Sequence, residues 1–164
     1  MNALLIQSPF PDFESISAEH VVPAIEAILK ANRSELALIK DRAKSADLVQ
    51  TFHALERLGA RLNEAWAPVE HLNAVMSHDA LRTAYNICLP LLSAYETELG
   101  QDRDLLGIYE AIAAQQTALP LTPADCKAVA NALRDFRLSG VALTPADRKR
   151  YGELKQRLSE QTSL

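Results

Sequence analysis

One stripe of apolar residues constrains this chain more than any other feature. Leu48, Phe52, Leu55, Leu58, Leu62, Trp66, Val69 and Leu72 recur every three or four positions, which places them along one side of a single long helix. A helix with so continuous an apolar side is stable in water only when other elements cover it. The rest of the sequence supplies candidates. Ile25, Ile28, Leu29, Leu36 and Ile39 form a second stripe behind Pro23, whose preset φ suits a first helical turn, and that helix is expected to run to about Lys44. Leu81, Tyr85, Cys88, Leu92 and Tyr95 make a third. No segment alternates apolar and polar residues between turn signals, so no strand is expected.

Capping chemistry marks where these helices start and stop. Asp47 suits the N-cap of the second helix, Ser77 that of the third, and Gly100 its stop. Pro68 and Pro90 fall inside the second and third stripes and are expected to kink those helices rather than end them. A fourth helix is expected from about Asp104 to Leu119, with Leu105, Ile108, Tyr109 and Ile112 inward. The pentapeptide Leu-Thr-Pro-Ala-Asp occurs at 121–125 and again at 143–147. In each copy Thr can cap, Pro takes the first helical position and Asp sits in the positive first turn. The residues after the two copies differ, so this is convergent helix-start chemistry rather than a repeat.

Gly140 is placed to end the fifth helix. The sixth, from Pro145, carries Tyr151, Leu154 and Leu158 and reaches Leu164 with no Gly or Pro terminator after that stripe, so the stripe is expected to continue and be covered by chain further on. In isolation, fraying beyond about Arg157 or self-association through that end is the expected consequence. Residues 1–16, with Pro9 and Pro11, read as an extended arm pinned by Phe10 and Phe13. The fold class is therefore all-α: a bundle of about six helices, two of them Pro-kinked, with an N-terminal arm. Its 164 residues suffice for one domain with its own core.

Charge and cysteine usage narrow the function classes. A net charge of −4 offers no electrostatic reason to bind nucleic acid or anionic lipid, and the basic run Arg148-Lys149-Arg150 reads as a solvated face. Two distant cysteines, Cys88 and Cys126, suit a reducing cytoplasm rather than a disulfide scaffold. The first residues lack the charged start and cleavage site of an export signal, and no apolar run approaches the roughly 20 residues of a membrane helix. A cytoplasmic location is expected, which leaves the sequon Asn32-Arg33-Ser34 without meaning.

A search for chemistry assigns no catalytic, cofactor-binding or metal residue. His20, His53, His71 and His78 are followed by Val, Ala, Leu and Asp, so the zinc motif His-Glu-x-x-His is absent, and its inverted form fails as well. His71 and His78 on one straight helix would lie about 10 Å apart, too far to share an ion, and are expected to be one partly buried and one exposed. In Ser77-His78-Asp79, adjacent side chains point apart and cannot form a triad. There is no Gly-rich phosphate loop, no Cys-x-x-Cys and no Gly-x-Ser-x-Gly. Glu96 with Glu98, and Asp102 with Asp104, are expected to be solvated on different helix faces. Trp66, Tyr85, Tyr95 and Phe136 could line a groove but on apolar stripes read as core.

Several segments carry a resemblance to a known family. These are Ala18-Glu19-His20-Val21-Val22-Pro23-Ala24, Pro68-Val69-Glu70-His71-Leu72-Asn73-Ala74-Val75, and Leu89-Pro90-Leu91-Leu92-Ser93-Ala94-Tyr95. The most specific is Ala128-Val129-Ala130-Asn131-Ala132-Leu133-Arg134-Asp135-Phe136, continued by Leu138-Ser139-Gly140-Val141, with Arg150-Tyr151 and Leu158-Ser159-Glu160 beyond. Together they resemble the N-terminal region of the thimet oligopeptidase family of zinc metallopeptidases, in its oligopeptidase A branch, and they span nearly the whole chain.

The resemblance implies a helical region that packs over a downstream catalytic domain of the same polypeptide and walls a deep channel admitting short peptides. It also implies zinc in the whole protein, held by His-Glu-x-x-His and a later Glu. None of those positions occurs in these residues, so no site residue and no cofactor is carried over to them. The other reading is a free-standing helical adaptor that binds peptides or partner helices on an apolar groove.

Overall fold

The computed structural model describes residues 2–6, 8, 10–43 and 47–162. Six helices follow in order: α1 (Ala18–Arg42), α2 (Leu48–Val75), α3 (Asp79–Gly100), α4 (Arg103–Ala114), α5 (Pro123–Leu138) and α6 (Pro145–Thr162). Two short 3-10 turns, Ala3–Leu5 and Phe13–Ser15, shape the N-terminal arm. Among the described residues there is no strand. The chain is an all-α bundle.

Most helix starts follow the expected chemistry. Asp47 Oδ1 accepts from the Val49 amide at 2.8 Å, which caps α2. At α5, the Thr122 hydroxyl accepts from the Asp125 amide at 3.2 Å while Asp125 Oδ2 accepts from the Thr122 amide at 2.9 Å, a closed capping box. The second pentapeptide repeats the first half of that arrangement at Thr144 and Asp147, also at 3.2 Å. Gly140 adopts φ +77°. The Val141 amide reaches back to the Phe136 carbonyl and the Gly140 amide to that of Arg137, a Schellman ending that requires the left-handed residue Gly supplies.

Three expectations need correction. α1 starts a full turn earlier than Pro23 suggests, at Ala18, because the His20 ring can accept from the Ser17 amide at 3.3 Å and so closes an earlier turn. Its expected end near Lys44 lies outside the described residues. α3 is capped by the ring of His78 rather than by Ser77: Nδ1 accepts from the Leu81 amide at 3.4 Å, while the Ser77 hydroxyl donates to Asn73. α4 is shorter than expected, ending at Ala114 and giving way to turns held by Gln115 through Leu119. Gly100 ends α3 as expected, though without a left-handed φ. Its need for Gly is contact, since a Cβ there would lie 2.5 Å from Ser139 Cβ.

α2 and α3 run through Pro68 and Pro90. Each proline removes one backbone donor and so leaves the carbonyl four residues earlier without its helical partner.

The core has two parts, and α1 and α2 belong to both. Val21, Ile25 and Leu29 of α1 pack with Trp66, Val69 and Leu72 of α2 and Leu81, Cys88 and Leu92 of α3. Further along, Leu36 of α1 and Phe52, Leu55 and Leu58 of α2 pack with Tyr109 and Ile112 of α4 and Val129 and Phe136 of α5. The long stripe that opened the sequence reading thus divides into halves facing different partners. α6 packs on α3, with Leu154 53% and Leu158 61% exposed. No described helix is long and apolar enough to cross a membrane.

Candidate functional site

The residues singled out by chemistry are scattered. His20 sits at the start of α1, His53 on α2, His71 near the end of α2, and His78 caps α3. His71 and His78 are both exposed, not one of each, and the break after Val75 puts them on different elements. His71 faces the Phe13 ring at 5.5 Å. Among the described residues no three His, Cys, Asp or Glu side chains gather within reach of one metal ion. The aromatics Trp66, Tyr95 and Phe136 are buried, and Tyr85 stacks on Trp66 at 4.9 Å. They are core, as their stripes predict.

Glu96, Glu98 and Asp104 are exposed as expected, while Asp102 is less solvated. Asp102 caps α4 and also accepts from Lys40 Nζ at 2.6 Å, with Asp104 at 3.2 Å from the same ammonium. Burial works against the charge on Lys40, but the hydrogen bonds and charges of the two aspartates outweigh it and hold the ammonium above its ordinary pKa. Residues two apart thus meet on one cation, because the cap geometry turns Asp102 out of the helix. Glu98 pairs with Arg33 at 2.8 Å, and the Arg33 guanidinium lies over the Tyr95 ring, 5.3 Å from its centroid. Of the basic run, Lys149 and Arg150 are exposed, but Arg148 is partly buried with its Nε lacking a hydrogen-bond partner.

A polar node missed in the sequence lies where the two core parts meet. Asn32 is fully buried. Its Nδ2 donates to the Leu58 carbonyl at 3.0 Å and its Oδ1 accepts from Arg61 Nε at 2.9 Å. Arg61 in turn donates to Glu35 at 2.8 Å. A signal existed: Asn32 interrupts the α1 stripe between Leu29 and Leu36, where an apolar residue is expected. A side chain so enclosed also cannot serve as a glycan acceptor in the folded state.

Arg61 leads to a concavity. A groove of about 970 Å³ runs between the N-terminal arm and the middle of α2, with Leu4, Leu5, Phe13, Arg61, Glu64 and Pro68 among its walls. Its walls are largely apolar, with Asp12, Arg61 and Glu64 as its charged groups. Other titratable groups are structural. Burial pushes the Cys88 thiol up to about 11, and the Tyr109 hydroxyl is raised by burial and by the nearby Glu56 carboxylate.

Comparison with known proteins identifies the family of this bundle. Residues 25–148 match the family described as Neurolysin/Thimet oligopeptidase, N-terminal domain. The chain is 38% identical over 162 residues to Oligopeptidase A of Haemophilus influenzae, covering 99% of this chain and 24% of that protein. It is 38% identical over 159 residues to Oligopeptidase A of Escherichia coli, covering 97% and 23%. Dipeptidyl carboxypeptidase of Escherichia coli is more distant, 24% identical over 167 residues, covering 99% of this chain and 24% of that protein. The chain therefore spans about a quarter of the length of the curated relatives it matches. With its six-helix bundle and a family match that covers both parts of the core, this chain belongs to the neurolysin/thimet oligopeptidase N-terminal domain family.

Proposed function

We propose that the chain is the N-terminal helical part of a zinc metallo-oligopeptidase that hydrolyses short peptides in the cytoplasm. In this reading it forms one wall of the channel that restricts access, and the His-Glu-x-x-His site lies in a downstream catalytic domain. The observation that carries it is the 38% identity with Oligopeptidase A along 99% of this chain, set against 24% of that protein.

The residues present do not fit a zinc site. The rings of His20 and His78 already accept backbone amides through Nδ1, and the histidines are spread over three helix segments. In this reading the chemistry belongs to the downstream residues, and the task of this domain is mechanical. A wall must keep its shape while substrate passes, and the shared helices α1 and α2, tied by Asn32 and Arg61, make the two core parts move together. The test is to express the polypeptide at the length of its relatives and assay it against short peptides and folded proteins. Cleavage of short peptides only, abolished by a chelator and restored by zinc, is expected. A full-length protein without such activity, or one that digests folded proteins equally well, refutes the reading.

A further inference from the structure

We infer that the N-terminal arm is a docking strip for the downstream polypeptide of the same chain, which lies along the arm and fills the groove beneath it; this rests on the reading above, in which a catalytic part follows this domain. The arm is held at both ends. The Asn2 amide donates to the His20 carbonyl at 2.7 Å and Leu4 is buried in the core, while Ile16 packs against the same core at the other end.

Between these holds, the arm turns apolar side chains to solvent. Leu5 is 49% exposed, Ile6 51%, Phe10 79% and Phe13 41%. The expectation that Phe10 pins the arm to the body is therefore wrong: Leu4 does that, and Phe10 is left over. An arm serving only to cover the core would show water polar side chains, whereas four large apolar groups within nine positions mark an interaction surface. Leu5, Ile6 and Phe13 are themselves walls of the largely apolar groove of about 970 Å³, so that a partner seated in the groove also covers the exposed apolar side chains of the arm.

The occupant is argued from length. The relatives extend to about four times this chain, which covers 24% of Oligopeptidase A. A wall of a channel must be fixed to the remainder, and permanent contacts between parts that fold together are more apolar than transient ones. Phe10 has the size and exposure of a central anchor residue.

The experiment uses the full-length polypeptide. Hydroxyl-radical footprinting of Phe10 is compared in native protein and in urea, across a dilution series followed by sedimentation, with Leu5→Ser/Ile6→Ser/Phe10→Ser as a second arm. The inference expects native Phe10 to be modified at least about tenfold more slowly than in urea, at every concentration. It also expects the triple variant to unfold its domains in separate transitions where the parent unfolds in one. Modification at the unfolded rate overturns it, as does protection that disappears when a dimer dissociates, since a second copy would then be the occupant. Protection in a protein lacking zinc-dependent peptidase activity leaves the docking in place and refutes the functional reading instead.

Discussion

Replacing Gly100 by Ala tests how closely α3 and the end of α5 approach. By propensity alone the change favours the helix by up to about 1 kcal/mol, less at a terminal position. The added Cβ, however, would lie 2.5 Å from both Cβ and Oγ of Ser139. Carbon atoms rest about 3.5–4.0 Å apart, so the helix ends must separate by roughly 1 Å. The hydroxyl can rotate away, but the Ser139 Cβ is fixed to a backbone that the Schellman ending holds in place. The separation also stretches the 3.3 Å bond from the Gln101 side chain to the Ser139 carbonyl. Overpacking of this kind costs about 1–3 kcal/mol, which exceeds the propensity gain and leaves a net loss of about 1–2 kcal/mol. At this chain length that lowers Tm by roughly 2–8 °C. Thermal unfolding followed by circular dichroism measures it, with Ser139→Gly as the second leg of a double-mutant cycle. In the Ser139→Gly background, Gly100→Ala is expected to be neutral or stabilising. An equal loss in both backgrounds, or a Gly100→Ala protein at least as stable as the parent, would show that the Ser139 contact is not what requires glycine.

Two further outcomes follow from buried polar groups. Asn32→Leu removes the partners of the Leu58 carbonyl and of Arg61 and is expected to cost about 2–3 kcal/mol in urea unfolding; a change under about 0.5 kcal/mol would mean that water or Glu35 replaces it without penalty. Burial raises Cys88 from 9.0 to about 11, so the folded state favours the neutral thiol. Its contribution to stability is full below pH 9 and is lost as pH rises through 11. Cys88→Ala should therefore flatten the alkaline limb of the stability curve, and parallel curves for the two proteins between those pH values would refute the assignment.

Much of the architecture was legible because helical periodicity is local. The stripes of α1, α2 and α3, the caps Asp47 and Thr122 and the stop at Gly140 each depend on residues within a few positions of one another. The errors came where a local signal had competitors. Ser77 and His78 are both able to cap, and the one whose ring reaches the Leu81 amide wins. Pro23 suits a first turn, yet an earlier start becomes available once His20 accepts the Ser17 amide. Gly100 is the stop it signalled and is also a point of contact with a residue 39 positions away, which no local signal announces. For the site, the sequence held no sign of the groove, whose walls come from the arm and from α2.

What the sequence by itself determined is the all-α class, most helix limits and the family, since capping, periodicity and close resemblance are read along the chain. What only the tertiary structure decided is which half of α2 faces which partner, that Asn32 and Arg61 meet between the two core parts, that Asp102 and Asp104 share Lys40, and that Leu4 rather than Phe10 holds the arm. The physical reason is that burial and ion pairing depend on distances between residues far apart in sequence. An apolar stripe states that a side must be covered, and only packing settles what covers it.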